Sequence, residues 1–153
     1  MLNKQLIILG LVIGVLHYTP AAFAAEEVIP DSDEIAELRD KATNGDADAQ
    51  FQLAEDYRKG EGVPQDDTAA REWYEKSANQ GNSDAMVAMG FIYRGGSGVP
   101  MDKVLSYMWF QLAVDHGNEH AYELRNDVSW AMTEQQILEG RKRASQWKPS
   151  KPE

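Results

Sequence analysis

Gly60-Glu61-Gly62-Val63-Pro64-Gln65-Asp66 and Gly96-Ser97-Gly98-Val99-Pro100-Met101-Asp102 are one loop written twice, 36 positions apart. The same shift aligns residues on both sides of the loop. Tyr57 falls on Tyr93, Trp73 on Trp109, Tyr74 on Phe110, and Gly45 on Gly81 and Gly117. Ala49, Ala85 and Ala121 also share one register. A glycine-valine-proline-aspartate string and a tryptophan-aromatic pair do not coincide by chance. Self-similarity at this period marks an array of helix pairs, each too small to bury its own apolar face alone.

Each part of the repeat has a mechanical assignment. A first helix is predicted over roughly Ala47–Lys59 and again over Asp84–Arg94, with Ala49, Leu53 and Tyr57 on its inner face, spaced by four. Gly60 and the Gly95-Gly96 pair can take a positive φ and end that helix. Val63 and Val99, apolar inside a polar loop, are expected to plug the gap between helices. Asp66 and Asp102 can cap the second helix by accepting from its free N–H groups. That helix carries Ala70, Trp73, Tyr74, Ser77 and Ala78, then Leu105, Trp109, Phe110, Ala113 and Val114 in the next copy. The full repeats run over about 47–81 and 83–117. The small residues at 49, 85 and 121 let backbones approach closely.

Both ends look adapted to close the stack. Residues 32–43 form a lone second-type helix with Ile35, Leu38 and Ala42 as its stripe, and capping helices are expected again over 118–147. The glycine loop is missing there; Thr133-Glu134-Gln135-Gln136 instead offers a capping box for a last helix to about Trp147. That helix should turn Ile137, Leu138, Ala144 and Trp147 inward and hold Arg141, Lys142 and Arg143 near its C-terminus, where the helix dipole favours them. Residues 25–31 and 148–153 read as a flexible linker and a flexible tail.

These residues resemble the Sel-one-like repeat (SLR) family, relatives of the tetratricopeptide repeats. Residues 49–81 follow that family's pattern with Ala54 in place of the first helix's glycine, and residues 85–117 follow it with Gly90 there. The stretches Tyr107-Met108-Trp109-Phe110 and Met132-Thr133, with Gln136 after them, look like the closing module of short exported bacterial members. The resemblance covers about residues 33–147. It implies an all-α, right-handed superhelical solenoid of about seven helices, whose relatives mostly act as adaptors. Some exported relatives regulate cell-wall enzymes or help bacteria deal with host cells. The Cys pair per repeat of the disulfide-linked relatives is absent, so their penicillin binding is not carried over.

Residues 1–24 read as an export signal. Lys4 gives the leading positive charge, Leu6–Leu16 an apolar run, and Ala22-Phe23-Ala24 the small-x-small pattern before a cut between Ala24 and Ala25. The run is about half of the ~20 residues needed to span a bilayer, so stable membrane insertion is not expected after removal. A periplasmic or secreted location follows. The chain carries a formal charge of −10 over 153 residues. Phosphate backbones and anionic lipids would repel it, which argues against nucleic acid as a partner and leaves a protein or peptide. No Cys is present, so packing alone must hold the domain, unlike many small exported folds.

No site of chemistry assembles from the remaining motifs. Asn44, Asp46, Asp48 and Glu55 fit positions of a calcium loop, but Ala49 stands where the sharp turn needs glycine. His116 and His120 are separated by Gly117 and Asn118 and have no third metal ligand at a convincing spacing. Ser145-Gln146-Trp147-Lys148 fits a two-letter serine-enzyme motif without its partner motifs. No cofactor or metal is expected. A hydrolase acting on β-lactams or cell-wall amides would need a nucleophile beside a base, and no such pair can be assembled. Placed on tetratricopeptide geometry, the first helices instead line a concave surface. Asp48, Phe51, Glu55 and Arg58 fall near it, then Asp84, Val87, Phe91 and Arg94, then His120, Glu123, Asp127 and Trp130. Phe51 is expected to pack in the core; Phe91 and Trp130 suit either the groove or the packing between repeats. The function expected is a non-enzymatic scaffold that binds a partner in this groove, with a regulator of a cell-wall enzyme or a host-interaction factor as the alternative.

Overall fold

The computed structural model describes residues 33–150. The expected leader, the linker over 25–31 and the last three residues lie outside the described part. Among the described residues seven α-helices follow one another as a solenoid: α1 (Asp33–Thr43), α2 (Ala47–Lys59), α3 (Asp67–Asn79), α4 (Ser83–Gly95), α5 (Lys103–Asp115), α6 (Ala121–Ser129) and α7 (Glu134–Gln146). Among the described residues there is no strand, and no helix is long and apolar enough to cross a membrane. Neighbouring helices pack in sequence from α1 to α5, and α5 then receives both α6 and α7.

The repeated loop does the same work twice. Gly60 and Gly96 end α2 and α4 in the left-handed region, with φ of 75° and 72°, and return their N–H groups to Asp56 and Ile92. Beyond each glycine the chain folds back: the Asp66 and Asp102 N–H groups donate to the Tyr57 and Tyr93 carbonyls, each at 2.9 Å. Each aspartate then caps the next helix, its carboxylate accepting from two N–H groups of α3 or α5. Val63 is buried in the loop and Val99 half-buried. Ile35 of α1 lies over the first loop, where a Cβ on Gly62 would come 2.8 Å from it.

The core runs between the two helices of each hairpin and continues from one hairpin to the next. Ala49, Ala85 and Ala121 are buried, as are Tyr74, Trp109 and Phe110 on the second-type helices. Trp73 is half-buried, packed on the core with the Lys76 ammonium 4.1 Å from its ring centroid. The closest approach is at Gly90, where an added Cβ would lie 2.5 Å from the Phe110 ring. Two buried hydroxyls tie helix to helix. Ser77 donates to the Ala47 carbonyl at 2.6 Å, and Ser106 to the Gly90 carbonyl at 2.8 Å.

Successive repeats are joined by an asparagine that does two jobs. The Asn82 side-chain oxygen accepts from the Ala85 N–H and caps α4, while its amide donates to Asp48 at 2.8 Å. Asn118 repeats this one copy on, accepting from the Ala121 N–H and donating to Asp84 at 2.8 Å. Asp46 holds the equivalent place before α2. It caps the helix through the Ala49 N–H but has no amide to donate, and no first-type helix precedes it in the described chain.

One expectation is corrected at the C-terminal end. Leu138 is 57 % exposed rather than turned inward. The inward face of α7 runs through Ile137, Gly140, Ala144 and Trp147, and a residue adjacent to Ile137 is rotated about 100° away from that face. Gly140 is what lets α7 lie on α5, since a Cβ there would meet the Tyr107 ring at 2.7 Å. Past α7 the Ser150 N–H donates to the Asn79 carbonyl at 2.8 Å, and Trp147 sets its ring edge-to-face with His116 at 5.4 Å. The capping box at Thr133 and Gln136 is formed as expected.

Gly90→Ala is expected to destabilise the fold by about 1–2 kcal/mol, because overpacking a fully buried ring outweighs alanine's better helix propensity. Urea unfolding would measure it, and Phe110→Leu in the same chain should recover part of the loss.

Candidate functional site

Between α2 and α4, with α3 as its floor, runs an open groove of about 540 Å³. Its apolar lining comes from Phe51 on α2, Ala70 and Tyr74 on α3, and Val87, Ala88, Phe91 and Ile92 on α4. Glu55, Arg58, Asp67, Asp84 and Ser97 stand among them. The helical period explains the grouping: Phe51, Glu55 and Arg58 recur at four and three along α2, as Asp84, Val87 (or Ala88) and Phe91 do along α4.

The two copies solve one packing problem with different chemistry. Glu55 and Phe91 occupy equivalent positions, as do Tyr74 and Phe110. In the first copy the Tyr74 hydroxyl donates to the Glu55 carboxylate. In the second, the Phe91 and Phe110 rings meet edge-to-face at 5.4 Å, a favoured aromatic geometry. Phe51 also packs on Tyr74, with centroids 5.8 Å apart.

Glu55 is the electrostatic centre of the groove. Arg58 grips it with two N–H groups, Nε at 3.1 Å and the terminal nitrogen at 2.7 Å, and Lys59 reaches it at 3.2 Å. The Arg58 guanidinium, helped by the Tyr74 hydroxyl and Lys59 against the cost of burial, lowers the Glu55 carboxyl from an ordinary 4.5 to about 2. Burial, then the hydrogen bond to Glu55, pushes the Tyr74 hydroxyl up, and the Glu55 contact raises Arg58 further. Glu55 is therefore charged and internally neutralised across the physiological range.

The sequence-derived groove residues divide. Glu55, Arg58, Asp84 and Phe91 come together in this groove, with Phe51 and Val87 beside them. Phe51 is half-buried and so serves both core and lining, while Phe91 is 45 % exposed over Phe110. Asp48 lies outside it, holding Asn82. Arg94 and Asp127 line a separate hollow one repeat on, with Met101, Asp102, Lys103 and Gln136. His120, Glu123 and Trp130 line neither, and Trp130 is 88 % exposed at the end of α6, which excludes a core position for it. Sequence reasoning assigns Tyr74 to the core alone and misses its hydroxyl. The aligned pairs Glu55/Phe91 and Tyr74/Phe110 carry the signal, since both members turn polar in the same copy.

Of the calcium, histidine and serine patterns, Asp46, Asp48, Glu55, His116 and Ser145 have structural partners. Asp46 caps α2, Asp48 binds Asn82 and Glu55 binds Arg58. His116 ends α5, its Nδ1 2.9 Å from the Leu112 carbonyl, and His120 precedes α6 without capping it. Ser145 donates to the Lys142 carbonyl. Among the described residues no group of three or more His, Asp or Glu side chains is placed to hold a metal ion.

Helical hairpins stacked about a lined groove define a tetratricopeptide-related repeat protein, a class that typically mediates protein–protein interactions. The chain belongs to the Sel1 repeat family: residues 47–82 and 83–118 each match the Sel1 repeat. It is similar to the crystal structure of a protective antigen of uropathogenic Escherichia coli strains displaying an SLR fold, at 32% identity over 74% of this chain, with a TM-score of 0.71. It is also similar to a Sel1 repeat protein from Oxalobacter formigenes, at 28% identity over 67% of this chain and a TM-score of 0.60. The chain spans only 24% and 41% of those two structures. No curated protein matches it.

Because the Glu55 pKa is depressed in the folded state, its contribution to stability is present above about 4.5 and is lost as pH falls toward 2. Glu55→Gln should therefore cost stability at neutral pH, on the order of 1 kcal/mol since Arg58 is half exposed and solvent screens the pair. The gap between variant and parent in chemical denaturation should close between pH 4.5 and 2.

Proposed function

We propose that this protein is an exported, non-enzymatic adaptor that seats a segment of a partner protein in the groove between α2 and α4. The observation that carries the reading is Phe91. It is a large apolar side chain, 45 % exposed, standing beside Val87 and Phe51 in a groove that also presents Arg58 and acidic groups. Aromatic and arginine side chains dominate interface energetics when a partner covers them. The groove is built on helices held by buried packing, so little ordering entropy is lost by the scaffold on binding. The export part of the proposal rests on the leader pattern of residues 1–24.

A pull-down from a bacterial envelope extract, comparing the parent with Phe91→Ala and Arg58→Ala, tests the binding reading. Loss of a specific partner at unchanged helicity is expected; retention of that partner by both variants would remove the groove from the account. Export is tested separately by N-terminal sequencing of the protein recovered from the envelope fraction. A chain beginning at Ala25 is expected, and an intact Met1 would overturn it.

A further inference from the structure

The lining of the first groove is chemically unlike that of the hollow one repeat on, and the difference specifies an occupant. Glu55 contributes no net charge to the groove, because Arg58 closes on it, and Lys59, which also reaches it, is shared with Glu61. What remains uncompensated is Asp67, at the start of α3, and Asp84, at the start of α4. Asp67 has no ion-pair partner among the described residues. Among the described residues the Asp84 carboxylate accepts only from the uncharged Asn118 amide. Both carboxylates are exposed, and Phe51, Val87 and Phe91 line the same groove with them.

One repeat further, the positions of Asp67 and Asp84 are held by Lys103 and His120. The hollow there combines Arg94 and Lys103 with Asp102 and Asp127, so its charges balance. The acidic pair is thus particular to the first groove and is not a by-product of the repeat.

Resting on the groove reading above, we propose that the occupant is a basic segment of a partner protein, anchored by one large apolar side chain and flanked by Lys or Arg. The apolar anchor would lie on Val87 and Phe91, and its basic flanks would face Asp67 and Asp84. The formal charge of −10 on the whole chain acts in the same direction, drawing cationic segments in and turning acidic ones away.

Panning short random peptides displayed on phage against the purified chain tests this. Peptides carrying Lys or Arg around a large apolar residue should be enriched. Asp67→Asn and Asp84→Asn, which keep side-chain shape and the Asn118 contact, should each weaken them roughly 2- to 5-fold at low salt. That difference should fade at about 0.5 M salt, where screening is strong. Enrichment of acidic or uncharged peptides that still lose binding in Phe91→Ala would overturn the basic occupant and leave the groove reading standing. Equal binding of basic peptides to both asparagine variants would overturn it in the same way. If no enriched peptide depends on Phe91, or on Val87→Ser should Phe91→Ala lose helicity, both readings fall.

Discussion

The structure depends on how closely the two helices of a hairpin can approach. A buried aromatic on the second helix, Tyr74 or Phe110, is fully enclosed, and the first helix passes over it with a residue no larger than Ala54 or Gly90. Interiors pack at crystal-like density, so such a contact leaves no slack for a larger side chain. From that distance follow the burial of Ala49 and Ala85, the reach of Ser106 to the Gly90 carbonyl, and the span that one loop must bridge. In a chain without cysteine these contacts and the hydrogen bonds around them supply what a disulfide supplies in many exported domains.

Given that spacing, the positions directly after the small residues, rotated about 100° from them, face partly outward and are free to vary. They are where the two copies diverge. Glu55 in the first copy binds Tyr74 and Arg58, and Phe91 in the second lies against Phe110. Repetition fixes the frame, and departures from repetition give the groove its charge and part of its apolar lining. The family's helical-repeat architecture therefore constrains the shape of the groove while leaving its chemistry to a handful of side chains.

Most of the fold is legible in the sequence because its signals are local and doubled. Loop glycines, aspartate caps and the capping box each act within a few residues, and a second copy 36 positions on removes ambiguity. What escapes depends on which way a side chain projects. Apolar character alone points Leu138 inward, whereas Gly140, lacking a side chain, gives no hint that it is the residue facing Tyr107. The helical pattern also suggests one surface running the length of three first-type helices. The last residue of the short α6, Ser129, is followed directly by an exposed Trp130, and the third copy contributes Asp127 to a separate hollow instead. Ser150 bonding to Asn79 has no periodic signature at all.

The asparagines before α4 and α6 carry a mechanical implication. In each, one side chain both opens a helix and grips the preceding repeat, so a repeat cannot unwind from its leading edge without also letting go of its neighbour. Arrays of this kind otherwise tend to come apart unit by unit. Here the fraying of one copy is coupled to the loosening of the next, which favours melting of the whole stack in a single step.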